Sequence, residues 1–188
     1  SASNQTLTIG TFNLTAGTFT APSTTLTVSS AITISGSPTF NNNGGTLSLT
    51  GSGGGTLSCN NVTFNLVVFN NTGTAKTVSS NCSLPLGASP SVPGVILSGT
   101  LSGSGTLTGT ATITLNSGAV LSGFTGLSLT ALTNSGATSN FGSYTTFVAS
   151  STVTLSSGTL TLPSGTDLNG ALTISAGTFN APSGTMTL

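Results

Sequence analysis

The C-terminal part of the chain repeats itself, and that repetition limits what the chain can fold into. Residues 153–166, VTLSSGTLTLPSGT, are followed nineteen positions later by residues 172–185, LTISAGTFNAPSGT, with eight of fourteen positions identical. Thr154, Ser156, Gly158, Thr159, Pro163, Ser164, Gly165 and Thr166 recur as Thr173, Ser175, Gly177, Thr178, Pro182, Ser183, Gly184 and Thr185. Where the copies differ, apolar stays apolar: Val153, Leu155 and Leu160 become Leu172, Ile174 and Phe179. What repeats is a pattern of burial, the mark of a repeat architecture. The opening of the chain carries it too, since residues 9–28 match 169–188 at ten of twenty positions.

Within each repeat the signal is a short apolar-polar-apolar triplet bounded by turn residues, as in Leu7-Thr8-Ile9, Phe12-Asn13-Leu14, Leu26-Thr27-Val28, Ile32-Thr33-Ile34 and Leu47-Ser48-Leu49. Triplets start about six or seven residues apart, so three make one repeat of about 20 residues. This spacing predicts an all-β solenoid of about nine rungs with three short strands each, every second residue pointing inward. A rung cannot bury its own inner side, so rungs must stack, and strand spacing of about 4.8 Å makes the stack a rod of about 45 Å. Residues 1–83 read as N-terminal rungs and 95–188 as C-terminal rungs of one continuous solenoid. Between them, residues 84–94 carry Pro85, Pro90 and Pro93. Proline cannot donate into a ladder, so this stretch is expected as an outward loop, bulge or edge crossing.

Charge is the feature that excludes most functions. The chain has one cation, Lys76, one acid, Asp167, and no His, while an ordinary domain is about a quarter charged. Disorder does not fit the regularly spaced β-branched, Leu and Phe residues and the positive mean hydropathy. No run is long enough for a membrane helix, and alternation over three to six residues is too short for a membrane barrel strand. Nucleic acid needs a cluster of basic residues. Glycoside hydrolysis or lyase chemistry needs paired carboxylates, or a metal with a base, so no enzyme, catalytic residue, metal site or cofactor is expected. Lys76 reads as a solvated edge charge. Asp167 reads as a corner residue before the Asn169-Gly170 turn, with Leu168 pointing inward through a one-residue register slip. A calcium ligand is the functional alternative for it, though a hard cation wants several oxygens.

The motifs GTFNAPSGT, TLTL and NNTGTAKTVSS resemble the repeats of bacterial cell-surface and secreted β-solenoid proteins of the filamentous-haemagglutinin and autotransporter-passenger type. The resemblance implies a right-handed parallel β-helix exported to the cell surface, an extracellular or secreted location, and no particular activity.

Several finer expectations follow from the residues. Cys59 and Cys82 lie a little over one repeat apart, and either bridge adjacent layers in an oxidising compartment or stand as two separate buried thiols. Sequons at Asn4, Asn13, Asn61, Asn70 and Asn81 are expected by chance in so Asn-, Ser- and Thr-rich a chain, and are candidate glycosylation sites for a nearly charge-free exported surface. Thr-x-Thr triplets such as Thr106-Leu107-Thr108 and Thr112-Ile113-Thr114 suggest ordered water or ice, but their spacing puts them on different sides of the coil. Phe141 and Tyr144 are expected as exposed aromatics available to a glycan. The sequence opens in a strand by Thr6 and closes within Met186-Thr187-Leu188, with no signal-peptide core, as processing or a window on a longer chain would leave it. Open ends and near-zero net charge predict end-to-end stacking through Leu7, Ile9, Phe12, Phe179, Met186 and Leu188. The expected function is therefore a structural subunit, or a tandem segment, of an extracellular filament whose partner is itself. An adhesin stalk that holds surface glycans is the alternative, and a phage fibre a third.

Overall fold

The computed structural model describes residues 5–72 and 74–188. Among them the regular structure is entirely β: 23 strands, β1 to β23 in chain order, stacked in parallel on three faces of a solenoid. Each triplet becomes a strand because its two apolar residues point to one side while the Thr, Ser or Asn between them points to water.

Face one begins with β1 (Leu7–Ile9), β4 (Thr25–Val28), β7 (Thr46–Leu49) and β9 (Leu66–Phe69), which form one ladder. It resumes with β12 (Ser91–Val92), the first parts of β15 (Thr106–Asn116) and β17 (Gly126–Asn140), then β18 (Thr146–Ala149), β20 (Thr166–Leu168) and β23 (Met186–Thr187). Face two stacks β2 (Phe12–Leu14), β5 (Ile32–Ile34), β8 (Gly55–Ser58), β10 (Lys76–Val78) and β13 (Val95–Leu97). It then continues through later parts of β15 and β17, the start of β19 (Val153–Thr161), and β21 (Leu172–Ile174). Face three holds β3 (Thr18–Thr20) and β6 (Thr39–Asn41), then β11 (Ser83–Ala88), β14 (Thr100–Ser104) and β16 (Val120–Ser122), and finally the ends of β17 and β19 with β22 (Thr178–Asn180). Face two is nine strands deep without a break, which sets the solenoid at about nine turns.

Register keeps like on like. Leu26 lies between Leu7 and Leu47, and Leu127 between Leu107 and Phe147. Leu107, Ile113, Leu127, Leu132, Phe147, Val153 and Leu155 are fully buried in one continuous core. Polar side chains also enter it, Asn134 among them. Asn134 stands between Leu115 and Leu155 in the ladder and is completely buried. Its amide donates to the Ala137 and Thr159 carbonyls at 3.2 and 2.8 Å, and its oxygen accepts from the Ala137 N–H at 3.0 Å. With donor and acceptor both satisfied, the burial costs little.

The proline-rich stretch is part of the wall. Residues 84–94 contain most of β11 and all of β12, with Leu84, Leu86 and Val92 buried. The register of β11 against β14 shifts between Pro85 and Ala88, where the missing N–H interrupts the ladder. β11 and β12 contact β9 without pairing with it, so face one is divided there. Face three is divided one rung earlier, since Val62–Asn65 forms no strand between β6 and β11. Asp167 lies in the middle of β20 rather than at a corner. A twenty-residue register pairs it with Thr187 and turns Leu168 into the core, so the inward slot beside it is taken by Thr166, whose hydroxyl donates to the Pro163 carbonyl at 2.7 Å.

Phe147 fills the core between Leu127 and Thr166 on face one, in ring contact with Phe141. Phe147→Ala should lower the unfolding free energy by about 3–5 kcal/mol, read as a lower urea midpoint.

Candidate functional sites: the staple, the divided rungs and the edges

The rung below Lys76 is longer than its neighbours. Ile32 faces Leu57 across face two, 25 positions on, whereas Leu57 faces Val78, 21 on. The extra residues belong to Thr50–Gly55, and this insertion makes room for a buried charge. Lys76 pairs with Gly55 below and Val95 above. It therefore takes an inward slot that belongs to Val95, Ile113, Leu132, Val153 and Leu172 in later rungs. Gly55 has no side chain to block the lysine stem, and a Cβ there would collide with the Ser30 carbonyl. Gly51, at φ 84°, likewise lies against the Ser29 carbonyl. The lysine side chain runs down across two rungs, and Nζ donates to the carbonyls of Ser29 and Ser30, both at 2.9 Å, and of Gly53 at 3.3 Å.

Lys76 is thus 0% exposed, and the expected solvated edge charge is instead an internal staple. Three carbonyls match the three N–H groups of the ammonium, which is what allows burial without a carboxylate. Burial pushes the Lys76 pKa below its ordinary value. Such a group charges more readily unfolded than folded, so stability rises with pH as pH approaches 10.5 from below.

The second reinforcement is covalent. Cys59 and Cys82 form a buried disulfide with Cα atoms 4.9 Å apart, the bridging alternative of the two open in the sequence. Cys59 follows β8 and Cys82 precedes β11. Asn81 closes the same corner, accepting the Cys59 N–H at 3.0 Å and donating to Ser58 Oγ at 3.3 Å.

Beside this corner, the division of face three opens a groove of about 380 Å³. Asn42 lies on its first rung, Asn61 to Asn65 on the second, Ser83 and Pro85 on the third and Ser102 on the fourth. Phe64 is buried beneath, with its ring edge-on to Phe40 at 5.3 Å. Asn42 donates to the Thr63 carbonyl at 3.1 Å and Asn65 to the Gly44 carbonyl at 2.8 Å, so the groove wall is tied to the rung below.

The third feature is the pair of edges. β1, β2 and β3 pair on one side only, with β4, β5 and β6. β21 and β22 pair only with β19, and β23 only with β20. Leu7 is 38% exposed, Ile174 49% and Leu188 75%. Ile9, Phe179 and Met186 are half-buried. Phe12 is buried, because Phe19 and Phe40 cover it edge-on at 4.8 and 6.1 Å. Four further residues belong to the edges: Leu14, Leu172 and Ile174, which sit in apolar-polar-apolar triplets, and Phe19, which sits between two threonines.

Other expected sites are placed differently. Phe141 is buried, in contact with Phe147, and Tyr144 is half-buried with its hydroxyl donating to the Leu121 carbonyl at 3.3 Å, so they form no exposed aromatic pair. Burial raises the Tyr144 pKa. Among the sequons, Asn4 lies outside the described residues. Asn13, Asn61 and Asn70 are exposed, Asn70 also donating to Ser48 Oγ at 3.1 Å, and Asn81 is engaged at the disulfide corner. The Thr-x-Thr triplets spread over all three faces. Among the described residues there is no group of three or more His, Cys, Asp or Glu side chains that would hold a metal ion.

Comparison with protein-family models, with curated proteins and with solved structures finds no match to this chain.

Two stability measurements test the reinforcements. Lys76→Met leaves three carbonyls without their donor and should cost about 2–4 kcal/mol, and it should abolish the alkaline rise of the urea midpoint. Replacing both cysteines with Ala should cost about 3 kcal/mol, the loop-closure value for a bridge of this span.

Proposed function

We propose that this chain is a structural segment of an extracellular β-solenoid rod or filament, propagated by stacking more rungs on its terminal edges. The observation that supports this most is the match between those edges. If the last rung lies beneath the first rung of a copy, strand over strand, Met186 and Leu188 meet Leu7 and Ile9, Leu172 and Ile174 meet Phe12 and Leu14, and Phe179 meets Phe19. Most of their paired neighbours are buried: Leu26, Val28, Ile32, Ile34, Val153, Leu155, Leu160 and Thr166, while Phe40 beside Phe19 is half-buried. The junction would therefore extend the core with the same apolar register. Further rungs of a longer chain satisfy the same edges by the same contacts.

A scaffold fits the chemistry better than catalysis does. Lys76, the one basic side chain, is consumed by three carbonyls, and Asp167 has no second carboxylate to work with. The disulfide favours an oxidising location. The contact between edges is heterologous and does not close on itself, so repetition makes a fibre rather than a ring.

Ile174→Lys and Leu188→Lys place charges on the exposed edge without entering the existing core. Electron microscopy should show unbranched rods with an axial repeat near 4.8 Å, shortened to single units in the double variant. Rods of one length in both proteins would refute propagation through these edges.

A further inference from the structure

We infer that the groove on face three is a binding site for a neutral oligosaccharide. A rod made only to be long gains nothing from interrupting its ladder. Here Val62–Asn65 leaves the ladder, and the chain spends its one disulfide and its one lysine on the adjoining rungs. The disulfide acts directly on the groove. Asn61 is two residues after Cys59 and Ser83 is one after Cys82, so the bridge sets the distance between the two walls. The Asn61 N–H also donates to the Asn81 carbonyl at 2.9 Å, adding a backbone tie across the same step. A concave surface held in this way is preorganised, which removes part of the ordering cost of binding.

Its chemistry selects the ligand class. The side chains of Asn61, Thr63, Ser83 and Ser102 make no hydrogen bond among the described residues, and the Asn65 amide oxygen is also free. Amides and hydroxyls supply both donors and acceptors, which suits a sugar hydroxyl that is itself both. Pro85 and Val62 add half-buried apolar surface for a sugar's C–H side. No charged side chain lines the groove, so a phosphate, sulfate or carboxylate ligand finds no counterion. The aromatic ring lining it, Phe64, is buried and offers a base no face to stack on. The groove crosses four rungs along the rod axis, about 14 Å at the strand spacing, which is the length of a short oligosaccharide.

The disulfide-bonded chain would be tested on a printed array of neutral and anionic glycans, with hits measured as soluble oligosaccharides by saturation-transfer NMR. The expected result is binding confined to neutral glycans. Thr63→Trp, an exposed position whose bulk fills the groove, should weaken it at least tenfold, and Ser102→Tyr should do the same from the other side. Asn61→Gly, compatible with the φ of 59° at that residue, should weaken it severalfold by removing one amide. Circular dichroism identical to that of the parent identifies variants that still fold. No neutral glycan bound, preference for anionic glycans, or affinity unchanged in both folded groove-filling variants would each overturn the assignment. None of these readings depends on filament length, so the edge-stacking proposal stands or falls separately.

Discussion

Everything in this molecule depends on the fact that one rung has an apolar inner side too narrow to cover itself. Twenty residues bent into three short strands expose their inner Leu, Ile, Val and Phe at top and bottom, and only another rung in register removes that surface from water. Parallel stacking does this while also pairing the backbone, so core burial and hydrogen bonding are satisfied by a single operation. The same rule explains the terminal edges, where Leu7, Ile174 and Leu188 stay exposed because nothing lies beyond them among the described residues.

The ladder is not uniform, and its irregularities coincide. Face two runs unbroken, while faces one and three divide around β9 and Val62–Asn65. In that region the chain uses interactions found nowhere else in it: an ammonium held by carbonyls of two lower rungs, and a disulfide joining one rung to the next. Both join rungs next to the division of face three. The groove on face three is thereby held in shape, which lowers the ordering cost of the ligand proposed for it.

Much of this was legible in the linear pattern. The triplets predict the strands, their spacing predicts the three-sided rung, and the identity of Gly165-Thr166 with Gly184-Thr185 points to the stacking of neighbouring rungs. The slip from nineteen to twenty residues at Asp167 was also readable, because Leu168 had to turn inward. The single lysine was not. A lysine in a polar stretch reads as solvated, and its burial rests on Gly55 beneath it and on the Ser29 and Ser30 carbonyls, 46 and 47 residues away. Phe141 and Tyr144 misled for a related reason: an irregular stretch looks like a surface loop, but Phe141 fills core space beside Phe147. The proline-rich stretch reads as an outward loop, a bulge or an edge crossing, and the structure keeps it in the wall with a register shift between Pro85 and Ala88.

By itself, the order of residues determined the strand period, the inward and outward alternation and the need to stack, since these follow from local geometry and from solvent exclusion. Tertiary structure alone decided where the ladder divides, that the two cysteines meet, and that the single lysine side chain is internal. Those outcomes depend on which backbone carbonyls and side chains from different rungs arrive at one corner. Small insertions such as that in residues 50–55 change which groups arrive there, and a one-dimensional repeat does not encode the change.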